Sequence, residues 1–115
     1  MTATARLSQW GPVIVWAGVI FAISSIPNLG TGLGTWDLVL RKLGHAAEFA
    51  VLGVLLHRAL SAPWLALAIG SLYAATDELH QAFVRGRQAS PLDWVIDTAG
   101  VALGIGAYAL WRRRR

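Results

Sequence analysis

Four long apolar stretches, separated by short polar connections, dominate this chain. They cover residues 10–26, 44–60, 64–83 and 94–111, and each approaches the ~17–25 residues that a helix needs to cross a bilayer. Together they leave little of the sequence for a soluble domain. The pattern predicts one all-α domain over residues 1–115, an integral membrane four-helix bundle with short connections. In the last stretch, Gly100 and Gly104 form a G-x-x-x-G pair, which is typical of close packing between membrane helices.

Composition supports this fold class. The chain has 115 residues, of which 56% are hydrophobic and only 14% charged, with a mean hydropathy of +0.53. A soluble domain of this size could not bury so much apolar surface. Cysteine does not occur, which excludes a disulfide framework, a thiolate nucleophile and a thiolate metal site. The first stretch ends in Ser-Ser-Ile-Pro rather than at a small-x-small cleavage site, so we expect it to be retained as a helix.

Basic residues predict the orientation in the membrane. The chain ends in four arginines at 112–115, and Arg6 and Arg58 fall on the same side if four helices alternate in direction. Because basic residues concentrate on the cytoplasmic side, both termini are expected there. The net charge of +4 favours contact with anionic lipid headgroups, and no nucleic-acid partner is expected. Five tryptophans fall at or beside the span ends, where aromatic residues typically anchor a helix at the membrane surface. They are Trp10, Trp36, Trp64, Trp94 and Trp111.

Ionisable residues interrupt the apolar stretches. Four of the six acidic residues lie in or against them: Glu48, Asp77, Glu78 and Asp97. An ionisable group there costs on the order of 2.5–3.5 kcal/mol even on insertion scales, so it is normally kept only where it pairs, faces a cavity or takes part in function. These acids and their polar neighbours are therefore the candidate functional residues.

The candidates fall at one depth of the predicted bundle. The first ~10 Å of the second helix, the last turns of the third and the first ~5 Å of the fourth all carry polar residues, and antiparallel packing brings these ends together. We therefore predict one polar site in the outer half of the bundle, with the connection at 84–92 as its lid. The candidates for proton transfer are His45, Glu48, Asp77 and Glu78, and those for ligand binding are Lys42, Gln81, Arg85, Arg87, Ser90, Asp93 and Asp97.

These residues, in this order and spacing, resemble the VanZ-like family of small bacterial membrane proteins over Ser24 to Gly104. The matching elements are Ser24-Ser25-x-Pro27, Lys42-x-x-His45-x-x-x-Phe49, Asp77-Glu78-x-x-Gln81-x-Phe83, Gly86-Arg87, Ser90, Asp93, Asp97, Gly100 and Gly104. The resemblance implies a multi-pass protein of the bacterial inner membrane with a general role in the cell envelope. The family's namesake is associated with resistance to the glycopeptide teicoplanin. Asp97 departs from the pattern, where Asn is expected, and adds an acid to the cluster.

The first hypothesis for function is recognition or processing of a phosphorylated envelope lipid. Lys42, Arg85 and Arg87 would hold phosphate oxygens, while His45 and an acid such as Glu78 would transfer protons. Neither a serine-histidine-aspartate order, a phosphate-cradling glycine loop nor a phosphatase-like signature occurs in the sequence. Whether the protein is an enzyme, and with which cofactor, is left open.

Two alternatives belong to other classes. In a transporter or flippase subunit, the acids and His45 would relay protons or bind a cation, although four spans favour an oligomer over an autonomous carrier. A metal version would use His45-x-x-Glu48 with Asp77 or Asp97, but lysine and arginine nearby match the acids, so we assign no metal from the sequence. A purely structural ion network is the last alternative, and stability alone seldom favours one.

Overall fold

The computed structural model describes residues 3–25, 35–84 and 90–114. Within these ranges the chain forms four helices and no strand: α1 (Ala3–Ser24), α2 (Thr35–Leu60), α3 (Pro63–Gln81) and α4 (Pro91–Arg113). The predicted all-α, four-helix class is confirmed. The greater part of the predicted lid, including Arg85 and Arg87, lies outside the described residues.

Local sequence explains where the helices begin. Both α3 and α4 start with proline, which is favoured at the first helical position because it needs no hydrogen-bond partner for a backbone N–H. Ser90 precedes α4 and caps it, since its hydroxyl accepts a hydrogen bond from the backbone N–H of Leu92 at 3.1 Å. Helix α2 begins at Thr35, well before the apolar stretch at 44–60. A helix can continue through residues such as Arg41 and Lys42, which are good helix formers, although they end an apolar run.

Contacts between side chains show that neighbouring helices run antiparallel. The end of α1, the start of α2, the end of α3 and the start of α4 lie together, and we call this the site end of the bundle. The polar contacts that join them are Ser25–His80, His45–Gln81 and Lys42–Asp93. At the opposite end, Arg58 at the end of α2 donates a hydrogen bond to Ser8 near the start of α1, at 3.4 Å. The bundle therefore has up-down-up-down topology.

Helices α2 and α4 approach each other most closely through small residues. A Cβ atom added to Gly100 would lie 2.5 Å from the carbonyl oxygen of Ala46, and one added to Gly104 would overlap the carbonyl of Ala50. No side chain larger than hydrogen fits at these positions without moving a backbone. The close packing predicted from the G-x-x-x-G pair is therefore confirmed. It also matters for function, because α2 and α4 carry His45 and Asp97.

Away from the site end, the interior is mainly apolar. Side chains from all four helices fill it, and two half-buried polar groups beside it hydrogen-bond to backbone carbonyls. Trp16 Nε1 donates to the carbonyl oxygen of Glu48 at 2.8 Å, and the Tyr73 hydroxyl donates to that of Ala17 at 2.5 Å. The largest fully buried apolar side chains are Ile20, Phe49, Leu52, Leu56 and Val101.

Two of the four helices are long and apolar enough to cross a membrane. These are α1, over Ala5–Ser24, and α4, over Pro91–Arg113. Helices α2 and α3 do not have that composition, so two of the four predicted spans are supported. The physical reason is their content of charged residues, which include Arg41, Lys42, Glu48, Arg58, Asp77 and Glu78.

The distribution of polar and apolar side chains is inverted relative to a soluble protein. Asp77 is 3% exposed and Asp97 is fully buried, whereas Leu72 is 68% and Leu103 is 71% exposed. In water, acidic residues are almost never fully buried and large exposed apolar surfaces are rare. Together with the two apolar helices, this arrangement indicates a membrane protein.

Candidate functional site: a buried histidine and carboxylate cluster

His45 stands at the centre of the polar residues that the bundle brings together. Its Nδ1 lies 3.3 Å from Oδ1 of Asp97 on α4, and its Nε2 lies 3.0 Å from Nε2 of Gln81 on α3. Asp97 points at α2 because it lies one turn before Gly100, on the face of α4 that packs most closely against α2. Both ring nitrogens of one histidine thus face polar groups from two other helices.

Asp77 completes this group. It lies four residues before Gln81 and therefore on the same face of α3, and it is buried. One carboxylate oxygen of Asp77, one of Asp97 and a ring nitrogen of His45 all lie within 4.8 Å of one another. We call these three residues with Gln81 the His45 cluster. An imidazole and two carboxylates are groups that can bind a proton or a cation.

Lys42 and Asp93 form an ion pair beside the cluster. The Nζ of Lys42 contacts Oδ1 of Asp93, and both side chains are partly exposed. Lys42 lies one turn before His45 on α2, and Asp93 lies one turn before Asp97 on α4. The lysine expected to hold phosphate is therefore paired with an acid at the edge of the site, where an incoming anion would have to compete with Asp93.

Glu78 connects the end of α3 to the start of α4. Its Oε1 accepts a hydrogen bond from the backbone N–H of Ser90 at 2.6 Å, while its Oε2 is buried and has no hydrogen-bond partner among the described residues. The contact with Ser90 gives Glu78 a structural role beside the proton transfer predicted for it. Glu48, one turn after His45 on α2, is half-buried and is not one of the three clustered ligand groups.

An apolar groove lies beside these polar residues, between α3 and α4. It is an open, shallow groove with a volume of about 390 Å³. Glu78 and Ser90 are its polar members, and both also belong to the predicted site. The lining residues are Ala75, Glu78, Leu79, Ala82, Ser90, Pro91 and Trp94.

Two side chains have contacts that sequence reasoning did not predict. Trp94 was expected to be only a membrane anchor, but it lines the groove, and its Nε1 donates to the carbonyl oxygen of Ser71 at 3.0 Å. The ring of His80, at the end of α3, stacks on Phe21 with centroids 4.4 Å apart. The one available signal for Trp94 was its position three residues before Asp97, which predicts a shared helix face.

Four antiparallel helices, an apolar exterior and a cluster of one half-buried histidine with two buried carboxylates together define a small helical membrane protein. The chain belongs to the VanZ/LLP1 family, whose model matches residues 4–112. The resemblance to VanZ-like proteins is therefore confirmed, and it extends over nearly the whole chain. Neither the curated proteins nor the solved structures include a significant match.

Proposed function

We propose that this protein recognises a phosphorylated lipid of the cell envelope, with the headgroup at the site end and the hydrocarbon chain in the groove. The observation that carries the proposal is that Glu78 and Ser90 belong to both places: they line the apolar groove and they join α3 to α4 beside the His45 cluster. A ligand with a polar head and an apolar tail matches both surfaces at once. A small soluble anion would leave the groove unused.

Placement in the membrane is part of the proposal. We propose that all four helices cross the bilayer. Helix α2 has 26 residues and α3 has 19, which gives lengths of about 39 and 28 Å at ~1.5 Å per residue. These lengths are close to or above the ~30 Å thickness of the hydrocarbon core. The arginines that end α4 lie opposite the site end, so a cytoplasmic C-terminus puts the site in the outer leaflet. A lipid could then reach the groove sideways, between α3 and α4.

Phosphate recognition would use the cation at the edge of the site. Lys42 would exchange Asp93 for a phosphate oxygen, and we propose that Arg85 and Arg87, on the connection between α3 and α4, add further donors. An arginine can hold two phosphate oxygens with parallel hydrogen bonds. The same chemistry extends the proposal to teicoplanin resistance, since a protein that binds envelope lipids can alter the surface that a glycopeptide antibiotic meets.

A transporter subunit is the second candidate, because buried histidine and acid groups are typical of proton and cation pathways. The described interior argues against such a path through one chain. Between Glu48 and His57 on α2 there is no acidic or basic side chain in any of the described helices at that depth, a distance of about 13 Å along the helix. Phe49, Leu52 and Leu56 fill that part of the core. A transport path would therefore need a second chain.

The test compares lipids that differ only in phosphate. The purified protein in detergent is titrated with farnesyl phosphate and farnesol, and with phosphatidate and diacylglycerol, and tryptophan fluorescence reports binding because Trp94 lines the groove. We expect each phosphorylated lipid to bind at least about tenfold more tightly, which corresponds to ~1.4 kcal/mol. Equal affinity within both pairs would contradict phosphate recognition, and binding of none would contradict the proposal as a whole.

Variants separate the two parts of the site. Lys42→Gln should reduce the preference for phosphate but leave the affinity for farnesol unchanged. Ala75→Phe should fill the groove and weaken both members of each pair. Arg58→Gln serves as the matched control, because it removes a cation from the opposite end of the bundle and should change neither affinity.

A further inference from the structure

We infer that the His45 cluster binds a divalent transition-metal ion through His45, Asp77 and Asp97. Three potential ligand atoms, one from each residue, lie within 4.8 Å of one another. Bonds to such an ion are about 2.0–2.2 Å long, which places its ligand atoms roughly 3–4 Å apart. Side-chain movements of about 1 Å would therefore convert the observed arrangement into a coordination shell. The three residues come from α2, α3 and α4, so an ion there would also join three helices.

Asp97 provides a second, independent observation. Its side chain is only 1% exposed, and neither carboxylate oxygen accepts a hydrogen bond that meets normal geometry from the described residues. Among the described residues, the one basic group within 4.0 Å of its oxygens is the imidazole of His45, at 3.3 Å. A carboxylate removed from water without hydrogen bonds is strongly destabilising. Because the backbone N–H groups around Asp97 are used within α4, a bound cation is the partner that suits this position.

The charge of the His45 cluster also favours a bound cation. If His45 is neutral, the buried carboxylate of Asp97 has no positively charged partner within 4.0 Å among the described residues. Lys42, the described basic residue one turn away on α2, already contacts Asp93. A divalent ion would neutralise both carboxylates and leave the imidazole neutral, which is the form of histidine that binds metals.

Gln81 fits the place of a supporting residue. A metal-binding histidine usually donates its second ring N–H to a carbonyl or carboxylate oxygen, which fixes the ring and its tautomer. With a metal on Nδ1, the Nε2–H of His45 would donate to the amide oxygen of Gln81 after the amide turns over. The present contact, 3.0 Å between the two Nε2 atoms, needs no other movement to become that hydrogen bond.

The donor set selects the class of ion. One imidazole and two carboxylates suit Zn²⁺ or Mn²⁺ better than Ca²⁺ or Mg²⁺, which prefer oxygen alone. Three protein ligands leave a coordination position open, as in catalytic metal sites, and a phosphate oxygen could occupy it. This link to a phosphorylated headgroup rests on the proposed function, whereas metal binding by the cluster does not.

The experiment measures metal binding without any added lipid. The full chain, carrying no polyhistidine tag, is purified in detergent, treated with EDTA and equilibrated by dialysis with ZnCl2 or MnCl2, and bound metal is counted by mass spectrometry. We expect one ion per chain, little competition from MgCl2, and a higher melting temperature with metal. Failure of the wild-type chain to bind either ion in a one-to-one ratio would overturn the inference.

Variants test the assignment of ligands. Asp97→Asn and His45→Gln should each lower metal affinity by more than a hundredfold, and Gln81→Leu by about 10–100-fold as a supporting residue. His57→Gln is the matched control, because His57 is also buried on α2 but packs on Tyr108 at the opposite end. Circular dichroism establishes that each variant is folded. If folded Asp97→Asn binds as tightly as wild type, the site is wrongly assigned.

Repeating the farnesyl phosphate and farnesol titrations in EDTA tests whether a bound metal takes part in phosphate recognition. Loss of the phosphate preference would show that the metal holds the headgroup, and an unchanged preference would overturn that link. Metal binding without any preference for phosphorylated lipids would contradict only the proposed function.

Discussion

Replacing Gly104 by alanine tests whether close packing of α2 on α4 holds the bundle together. The added methyl group would overlap the carbonyl oxygen of Ala50 and lie 2.7 Å from its carbonyl carbon. Ordinary contacts between such atoms are about 3.5 Å or longer, and both obstructing atoms are backbone. Rotation of a side chain cannot relieve the overlap, so the two helices must move apart by about 1 Å.

The expected loss of stability in Gly104→Ala follows from the cost of overpacking. Inserting a methyl group into a closely packed interface typically costs about 1–3 kcal/mol, while exchanging glycine for alanine inside a helix contributes up to about 1 kcal/mol in the other direction. Gly106→Ala is the control that separates overpacking from helix propensity. It lies on the same helix and gains the same propensity, but its new Cβ would meet nothing within 4 Å.

Thermal unfolding in one detergent compares the two variants. We expect Gly104→Ala to be less stable than Gly106→Ala by about 1–3 kcal/mol, since the propensity gain cancels between them. At about 4 °C per kcal/mol for a chain of this length, the melting temperatures should differ by roughly 4–12 °C. Equal melting temperatures would show that the α2–α4 interface is looser than described and would refute the reasoning.

Four further outcomes are expected. Tyr73→Phe should lower stability by about 1 kcal/mol in thermal unfolding, because it removes the hydrogen bond to the carbonyl of Ala17. Asp93→Asn should raise the affinity for farnesyl phosphate but not for farnesol, because it releases Lys42 from its ion pair. Arg87→Lys should weaken farnesyl phosphate binding while leaving the melting temperature unchanged, since lysine keeps the charge but not the planar fork. Alkaline phosphatase fused to the C-terminus should be inactive and green fluorescent protein active, because both termini are predicted to be cytoplasmic.

The sequence predicts the number and approximate position of the helices because their apolar runs are long and separated by polar residues. It predicts the helix bounds less well. By hydropathy the second stretch begins only at residue 44, whereas α2 begins at Thr35, since backbone hydrogen bonding continues through charged residues that an apolar run excludes. Ionisable residues also explain why α2 and α3 fall short of the apolar composition of a membrane span. Hydropathy counts Asp77 as polar wherever it points, but the bundle places it inside.

The sequence also predicts how deep each residue lies along the bundle, and it places His45, Gln81 and Asp97 at a common level. The sequence does not predict which residues each side chain contacts, because these contacts depend on how far each helix is rotated about its own axis. Lys42 illustrates the limit: the sequence offered it as a phosphate ligand, and the structure pairs it with Asp93. The candidate site roles are not tested by the fold, and they stay predictions for the experiments above.

The rotation of α2 against α4 is determined largely by glycine. Gly100 and Gly104 occupy the face of α4 that also carries Asp97, and the residues they meet on α2, Ala46 and Ala50, begin directly after His45. Membrane helices gain no hydrophobic free energy by packing on one another, so small residues that permit close backbone contact supply much of the association. The contact that stabilises the pair therefore also sets the distance between His45 and Asp97. A side chain larger than hydrogen at either glycine would disturb the bundle and the cluster together.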